Sequence, residues 1–335
     1  MEVLSTGQAV GQALDLAMEM DERVFIAGEG VGTSIHKDPN MPTFGLLEKY
    51  GPRRVKDTPV SEAAIAGLAV GASSMGLLPV VEIMFFPFIT LALDMLVNHA
   101  AKLRYLSGGK SSFPLTVRVK AGVLAAGCQH SHNLEAWLAH SPGLKVVFSS
   151  TPADAKGLLL SAIFDPDPVV VIEEMPLYWM KGEVPEGDFR VPLGLARKVL
   201  PGKDCTVACY GGAVYTALQA AETLSKEGVS LEVLDLRSLV PFDRAALLGS
   251  VRKTGRLVVL HEATKFAGFG AEVAAMAAEE AFDALKAPIM RVAAPDIPVP
   301  FSPPMEEFYK PNPMMVVEAV RATLERGPKT RGGHA

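Results

Sequence analysis

Short apolar runs rich in β-branched residues alternate along this chain with Ala-rich or amphipathic stretches long enough for helices, and that alternation predicts a parallel α/β sheet. The runs in the first half predict strands over Val24–Ala27, Pro79–Met84, Leu115–Val119, Lys145–Phe148 and Val169–Glu173, with helices near 8–20, 61–76, 88–106 and 152–164. Together they make one doubly wound domain over residues 1–185. Around 174–204 the periodicity gives way to Pro, Gly and charged residues, which suit a surface connection with its linker at 186–203. A second series, with strands over Thr206–Tyr210, Ser230–Leu234, Leu257–His261 and Ile289–Val292 and helices near 214–227, 243–252, 271–284 and 313–325, predicts a smaller α/β domain over 204–327. The Gly-rich, basic end, residues 328–335, has no periodicity and is expected to be flexible.

A chain of 335 residues can bury two such cores without a metal or disulfide staple. Its residues are 49% hydrophobic but only 7% aromatic, so the interior is built from small aliphatic side chains, and part of the surplus is expected in subunit interfaces. A net charge of −5 with 21% charged residues provides no basic stripe and argues against a nucleic-acid partner. Cys128, Cys205 and Cys209 are an odd set without a CxxC pair, which fits a reducing compartment. No basic-then-apolar leader and no stretch of about 18 uncharged apolar residues is present, so the expected location is the cytoplasm, without membrane insertion.

Three places carry candidate chemistry. In DTPVSEAAIAG a strand leads to Ser61, a good N-cap, and at once to Glu62, which places a carboxylate in the first turn of a helix above the carboxyl ends of the strands. Spacing alone leaves two readings of Glu62, a ligand-facing group or a complement to the helix dipole. IAGEGVG has glycines at 28, 30 and 32, hence GxGxG rather than GxGxxG, and Glu29 in its middle would repel a pyrophosphate. The His130-x-His132 pair has the types to bind a metal, yet no third ligand follows at convincing spacing.

Taken together, DTPVSEAAIAGLAVGASSMGLLPVVEIMF, NHAAKLRYLSGG, CQHSHN with HSPGLKVV, and DLRSLVPFD with HEATKFAGFGAE resemble the β subunits of the E1 component of pyruvate, branched-chain 2-oxo acid and acetoin dehydrogenase complexes, over about residues 5–325. The resemblance implies a transketolase-like pyrimidine-binding domain followed by a transketolase C-terminal domain. It implies oxidative decarboxylation of a 2-oxo acid on thiamine diphosphate, with acyl transfer to the lipoyl group of an E2 acyltransferase. In that family the residue matching Glu62 hydrogen-bonds N1′ of the aminopyrimidine, and the one matching Phe88 stacks on its ring, although Phe85 and Phe86 are close enough to be confused with it. Met84 would face the cofactor, Glu29 would join a buried acidic connection between paired active sites, and His130 would face the substrate and help the acyl group pass to the lipoyl arm. His132 departs from the family, where Gln is often found. A potassium ion is also implied, for which Asp165 and Asp167 of FDPDP are the candidates. The same residues equally suit a turn before a strand.

The family's diphosphate-holding GDG and Asn-Asn strings are missing; the nearest string, EGDFR at 186–190, lies in the predicted connection. The resemblance therefore implies that magnesium is held mainly by an E1 α subunit, in an α2β2 heterotetramer. Alternative readings are an acetoin dehydrogenase β subunit, a two-chain transketolase or synthase that uses no lipoyl domain, and a non-catalytic assembly subunit.

Overall fold

The computed structural model describes residues 1–32, 38–123 and 126–325; the tail expected to be flexible lies outside them. The chain forms two compact units, one of Met1–Gly194 with Ser238–Pro241 and the other of Leu195–Arg237 with Phe242 onward. Strands in chain order are β1 (Glu2–Ser5), β2 (Val24–Gly28), β3 (Val55–Asp57), β4 (Leu78–Ile83), β5 (Leu115–Ala121), β6 (Lys145–Phe148), β7 (Pro168–Glu174), β8 (Lys181–Val184), β9 (Arg197–Leu200), β10 (Cys205–Cys209), β11 (Leu231–Asp235), β12 (Ser238–Val240), β13 (Leu257–Thr264) and β14 (Met290–Ala294).

The first unit is built on a seven-stranded sheet in the order β12-β6-β7-β5-β4-β2-β3. Its strands are parallel except β12, which runs antiparallel at the edge. Helix Thr6–Met20 starts at a capping box, in which Ser5 Oγ accepts from Gln8 N at 3.2 Å and Ser5 N donates to Gln8 Oε1 at 2.9 Å. Its Val10, Leu14, Ala17 and Met18 join Leu158, Leu159 and Ala162 of helix Pro152–Ile163 and the strand residues Val24, Ile26 and Val169 in one core. That second helix has Thr151 as its cap and Pro152 in its first turn, where a missing N–H costs nothing. Strands β1 and β8 form a separate antiparallel pair.

Two segments differ from expectation. The helix anticipated over 88–106 is a succession of shorter pieces, a 3₁₀ turn at Phe86–Phe88, α-helix at Ile89–Leu93, a π-helical stretch at Asp94–Ala100 and α-helix again at Ala101–Leu106. The connection at 186–203 contains β9 and the buried Val191, because its apolar residues pack although its Pro and Gly break any period.

The second unit has a five-stranded sheet, β14-β13-β10-β11-β9, parallel except for β9. Helices Ala213–Ser225 and Pro313–Glu325 supply Val214, Ala217, Leu224, Val316 and Val320 to a core with Val207, Val233 and Leu260. His261, within β13, is 1% exposed and stacks on Tyr210 with centroids 6.0 Å apart; burial lowers its pKa to about 4. No helix among the described residues is long and apolar enough to cross a membrane.

Candidate active site

Strands β3, β2, β4 and β5 are consecutive neighbours in the first sheet, and the chain leaving their carboxyl ends carries the candidate residues. Glu29 follows β2 directly, Glu62 opens the helix after β3, Phe85 and Phe88 follow β4, and His130 lies in the turn after β5. Parallel α/β sheets bind ligands at this end because every loop there emerges on the same side.

Glu62 is the first residue of helix Glu62–Ser74 and is 4% exposed. Ser61 holds the N-cap position, but its side chain makes no capping bond. Glu29 is 7% exposed, and its Oε1 is buried without a hydrogen bond. Burial, then the nearby Glu62 and Glu82 carboxylates, push the Glu29 pKa above its ordinary value, while Lys120 opposes them.

Beneath this pair runs an ionic network that the sequence reading missed. Arg118 of β5, 1% exposed, donates to Glu173 of β7 at 2.7 and 2.8 Å and to Glu82 of β4 at 2.6 Å. Lys120, two residues on, contacts Glu82 Oε1 at 2.6 Å, and the buried Tyr178 hydroxyl donates to Glu173. Burial works against the Arg118 charge, but Glu173 and Glu82 outweigh it and hold its pKa above the usual arginine value. For Tyr178, burial and then Glu173 raise the phenol. The signal was present in LTVRVKA: a central parallel strand is buried on both faces and should be apolar, so two cations in it demand buried counter-charges.

The other wall is aromatic. The His130 ring meets Phe85 edge-on at 4.7 Å and Phe88 at 5.2 Å between centroids, and the two phenylalanines are 6.5 Å apart. The confusion between Phe85 and Phe88 is thereby physical, since both frame His130. His130 Nδ1 is buried without a hydrogen bond, and its backbone N–H closes a turn on Gly127 O at 3.1 Å. Asn133 Oδ1 accepts from Gly122 N at 3.0 Å and ties the loop back to the end of β5. Met84 is half-buried at the end of β4, and His132 is half-buried with its pKa lowered by burial. The described residues hold no cluster of three His, Cys, Asp or Glu arranged for a metal, so the His130-x-His132 metal reading gains no third ligand.

Asp165 and Asp167 stand apart from this group. Lys145 Nζ lies 2.6 Å from Asp165 Oδ1, and Arg104 pairs with Asp167, so both carboxylates are already neutralised in the turn before β7.

Residues 2–179 match the family model "Transketolase, pyrimidine binding domain", and residues 194–316 match "Transketolase, C-terminal domain". The chain is 44% identical to the acetoin:2,6-dichlorophenolindophenol oxidoreductase subunit beta of Cupriavidus necator, over 97% of this chain and 98% of that one. It is 43% identical to the 2-oxoisovalerate dehydrogenase subunit beta of Bacillus subtilis, over 97% and 100%. Against the mitochondrial pyruvate dehydrogenase E1 component subunit beta-2 of Oryza sativa subsp. japonica the identity is 44%, over 96% and 87%. The chain belongs to the E1 β-subunit family. A solved "Split gene transketolase, inactive beta4 tetramer" shares the fold, with a TM-score of 0.79 and 24% identity over 97% of this chain and 99% of that one.

Membership of the E1 β-subunit family makes thiamine diphosphate the implied cofactor, and the residues present fit its aminopyrimidine: a buried carboxylate at a helix start for a ring nitrogen, an orphaned acid behind it and an aromatic wall beside it. Near-equal identity to acetoin, branched-chain and pyruvate relatives spreads the family resemblance over all three substrates.

Proposed function

We propose that this chain is the β half of a thiamine-diphosphate-dependent 2-oxo acid dehydrogenase E1 that decarboxylates a small 2-oxo acid and delivers the acyl group to the lipoyl arm of an E2 acyltransferase. The observation that carries this reading is the pairing of buried Glu62 and Glu29 at the strand ends with the Phe85–Phe88–His130 wall.

When bound, thiamine diphosphate supplies the carbon nucleophile that attacks the 2-oxo group. Glu62 would hold the pyrimidine through a ring nitrogen and manage the proton there, in a site dry enough for that bond to be strong. Phe88 and Met84 would contact the ring. His130, fixed edge-on between two phenylalanines, would give or take the proton that acyl transfer requires. The diphosphate and its magnesium fall to an α subunit, since this chain has neither GDG nor Asn-Asn, and the expected assembly is α2β2. Asp165 and Asp167 are left out of the proposal because Lys145 and Arg104 neutralise them. The three cysteines are free thiols, which supports a reducing, cytoplasmic location.

Activity toward pyruvate, branched-chain 2-oxo acids and acetoin, measured with thiamine diphosphate and magnesium, should appear only when this chain is co-expressed with its α subunit. Glu62→Gln should lower turnover by about 10²–10⁴, the usual worth of a positioned acid or base. Full activity of this chain alone, or of the Glu62→Gln assembly, would overturn the reading.

A further inference from the structure

An imidazole that moves protons is ordinarily oriented by the hydrogen bond its second nitrogen makes, and His130 lacks one: among the described residues nothing bonds its buried Nδ1. The ring has two edge-on contacts instead, with Phe85 at 4.7 Å and 85° and with Phe88 at 5.2 Å and 87°. Contacts of that kind orient a ring when the backbone beneath it stays still. Before His130 the chain is loosely covered: Cys128 and Gln129 are exposed, and the turn is closed by His130 N donating to Gly127 O at 3.1 Å. After it, Ser131 and Asn133 are buried, with His132 half-buried between them.

We propose that Asn133 is a positioning residue for His130, its side-chain oxygen on the Gly122 amide holding the turn that carries the imidazole against Phe85 and Phe88. The inference rests on the role given to His130 above. Asn133 is 7% exposed, and its Oδ1 accepts from Gly122 N at 3.0 Å, closing a loop between residues 11 apart in the chain. Three residues of chain span at most about 10 Å, so a displacement at Asn133 reaches His130 with little slack to absorb it.

The other end of the tether is a fixed point. Gly122 is the first residue past β5, whose last rung pairs Ala121 with Glu174 of β7. Its φ is +104°, and a Cβ there would lie 2.9 Å from Pro176 Cδ, so its backbone is pressed against the chain that leaves β7. Gly122 is buried, and without the Asn133 oxygen its amide would have to admit water or shift to find another acceptor. Either change loosens the turn under His130. Reacting groups must be held to within about 0.5 Å, and a misplacement of about 1 Å can cost 10²-fold in rate. An asparagine kept there solely to satisfy the strand end would instead weaken every step of the enzyme alike.

The test reads the imidazole itself. In the full chain with labelled histidine, the ring-proton resonances that disappear in His130→Gln are those shifted by the ring currents of Phe85 and Phe88. Asn133→Leu, similar in size but unable to accept, should move them toward the values of free histidine, whereas Asn133→Asp, which keeps an oxygen for the Gly122 amide, should hold them near the wild type. In the assembled enzyme, the substrate is whichever of pyruvate and the branched-chain 2-oxo acids the wild type turns over. There Asn133→Leu should lower acyl transfer to a lipoyl domain by about 10–100-fold, while the substrate KM and the rate with dichlorophenolindophenol as electron acceptor stay within about twofold. In a His130→Gln background the same substitution should add no further loss, because its effect passes through the imidazole. Unmoved ring protons in Asn133→Leu, an equal fall with both acceptors, or a full further loss in the His130→Gln background overturns the proposal. If Asn133→Leu does not fold, Asn133→Ala decides by the same readings. Ring protons that move as expected in a protein whose wild-type assembly shows no thiamine-dependent turnover would refute the catalytic role of His130 while leaving the tether standing.

Discussion

Replacing Arg118 with Met tests the ionic network at its centre. The guanidinium is 1% exposed and makes three hydrogen bonds, two to Glu173 and one to Glu82. Without it, Glu173 keeps the Tyr178 hydroxyl and Glu82 keeps Lys120, and two carboxylates share one cation in a medium that solvates charge poorly. Breaking a buried pair from one side costs roughly 3–5 kcal/mol, because the remaining charge is uncompensated. Both tryptophans, Trp137 and Trp179, belong to the first unit, so fluorescence-monitored urea unfolding reports that unit. The loss should appear as a lower urea midpoint at unchanged slope, and as a drop in Tm of about 6–20 °C at roughly 2–4 °C per kcal/mol. Adding Glu173→Gln should restore about half of the loss, because it removes the stranded charge and leaves the Glu82–Lys120 pair intact. A loss under about 1 kcal/mol, the worth of a solvated surface pair, would refute the claim that this network is dry.

Other perturbations have equally definite outcomes. His261 has its pKa lowered to about 4 from an ordinary 6.5, so its contribution to stability is whole above 6.5 and is lost as pH falls toward 4, by about 3 kcal/mol in all; hydrogen exchange of Leu257–Thr264, corrected for intrinsic pH effects, should show that slope, and His261→Phe should abolish it. Gly143 has φ +101°, and a Cβ there would lie 1.9 Å from the Ala101 carbonyl oxygen, so Gly143→Ala should cost more than about 2 kcal/mol by tryptophan-monitored unfolding. Gly45→Ala, at φ +77° in open space, should cost only the roughly 1–2 kcal/mol of the backbone conformation, and equal losses at the two sites would count against the steric account. With Asp165 and Asp167 paired to Lys145 and Arg104, exchanging potassium for choline at constant ionic strength should leave the Tm unchanged, and a potassium-specific rise would show that the ion binds.

The central strands were legible because their β-branched runs are continuous, and the predicted Lys145–Phe148 coincides with β6. Glu62 was legible for a different reason, since a strand followed by Ser-Glu and a small-residue helix leaves it little choice of place. Edge structure was hidden: β1 and β8 pair over 170 residues of separation, and neither EVLS nor KGEV is apolar enough to stand out. The π-helical stretch was equally invisible, because DMLVNHA has an ordinary helical composition and only its backbone bonding departs from the α pattern. The predicted strand includes Arg118 and stops at Val119, short of Lys120, although charge inside a strand buried on both faces is itself the clue to the network.

Strand β12 gives the gene an awkward anatomy. Four residues, Ser238–Pro241, belong to the first unit although they are encoded after three of the five strands of the second unit's sheet, so the chain passes between units three times. A fragment ending at Gly194 would therefore keep every candidate catalytic residue yet lose the strand that covers β6, and would expose an open parallel edge to aggregation. Evolution or an engineer who wished to separate the pyrimidine-binding half from its companion could not do so with one cut, and a split placed in the second unit after Pro241 would preserve the first sheet better than the obvious one at the domain boundary.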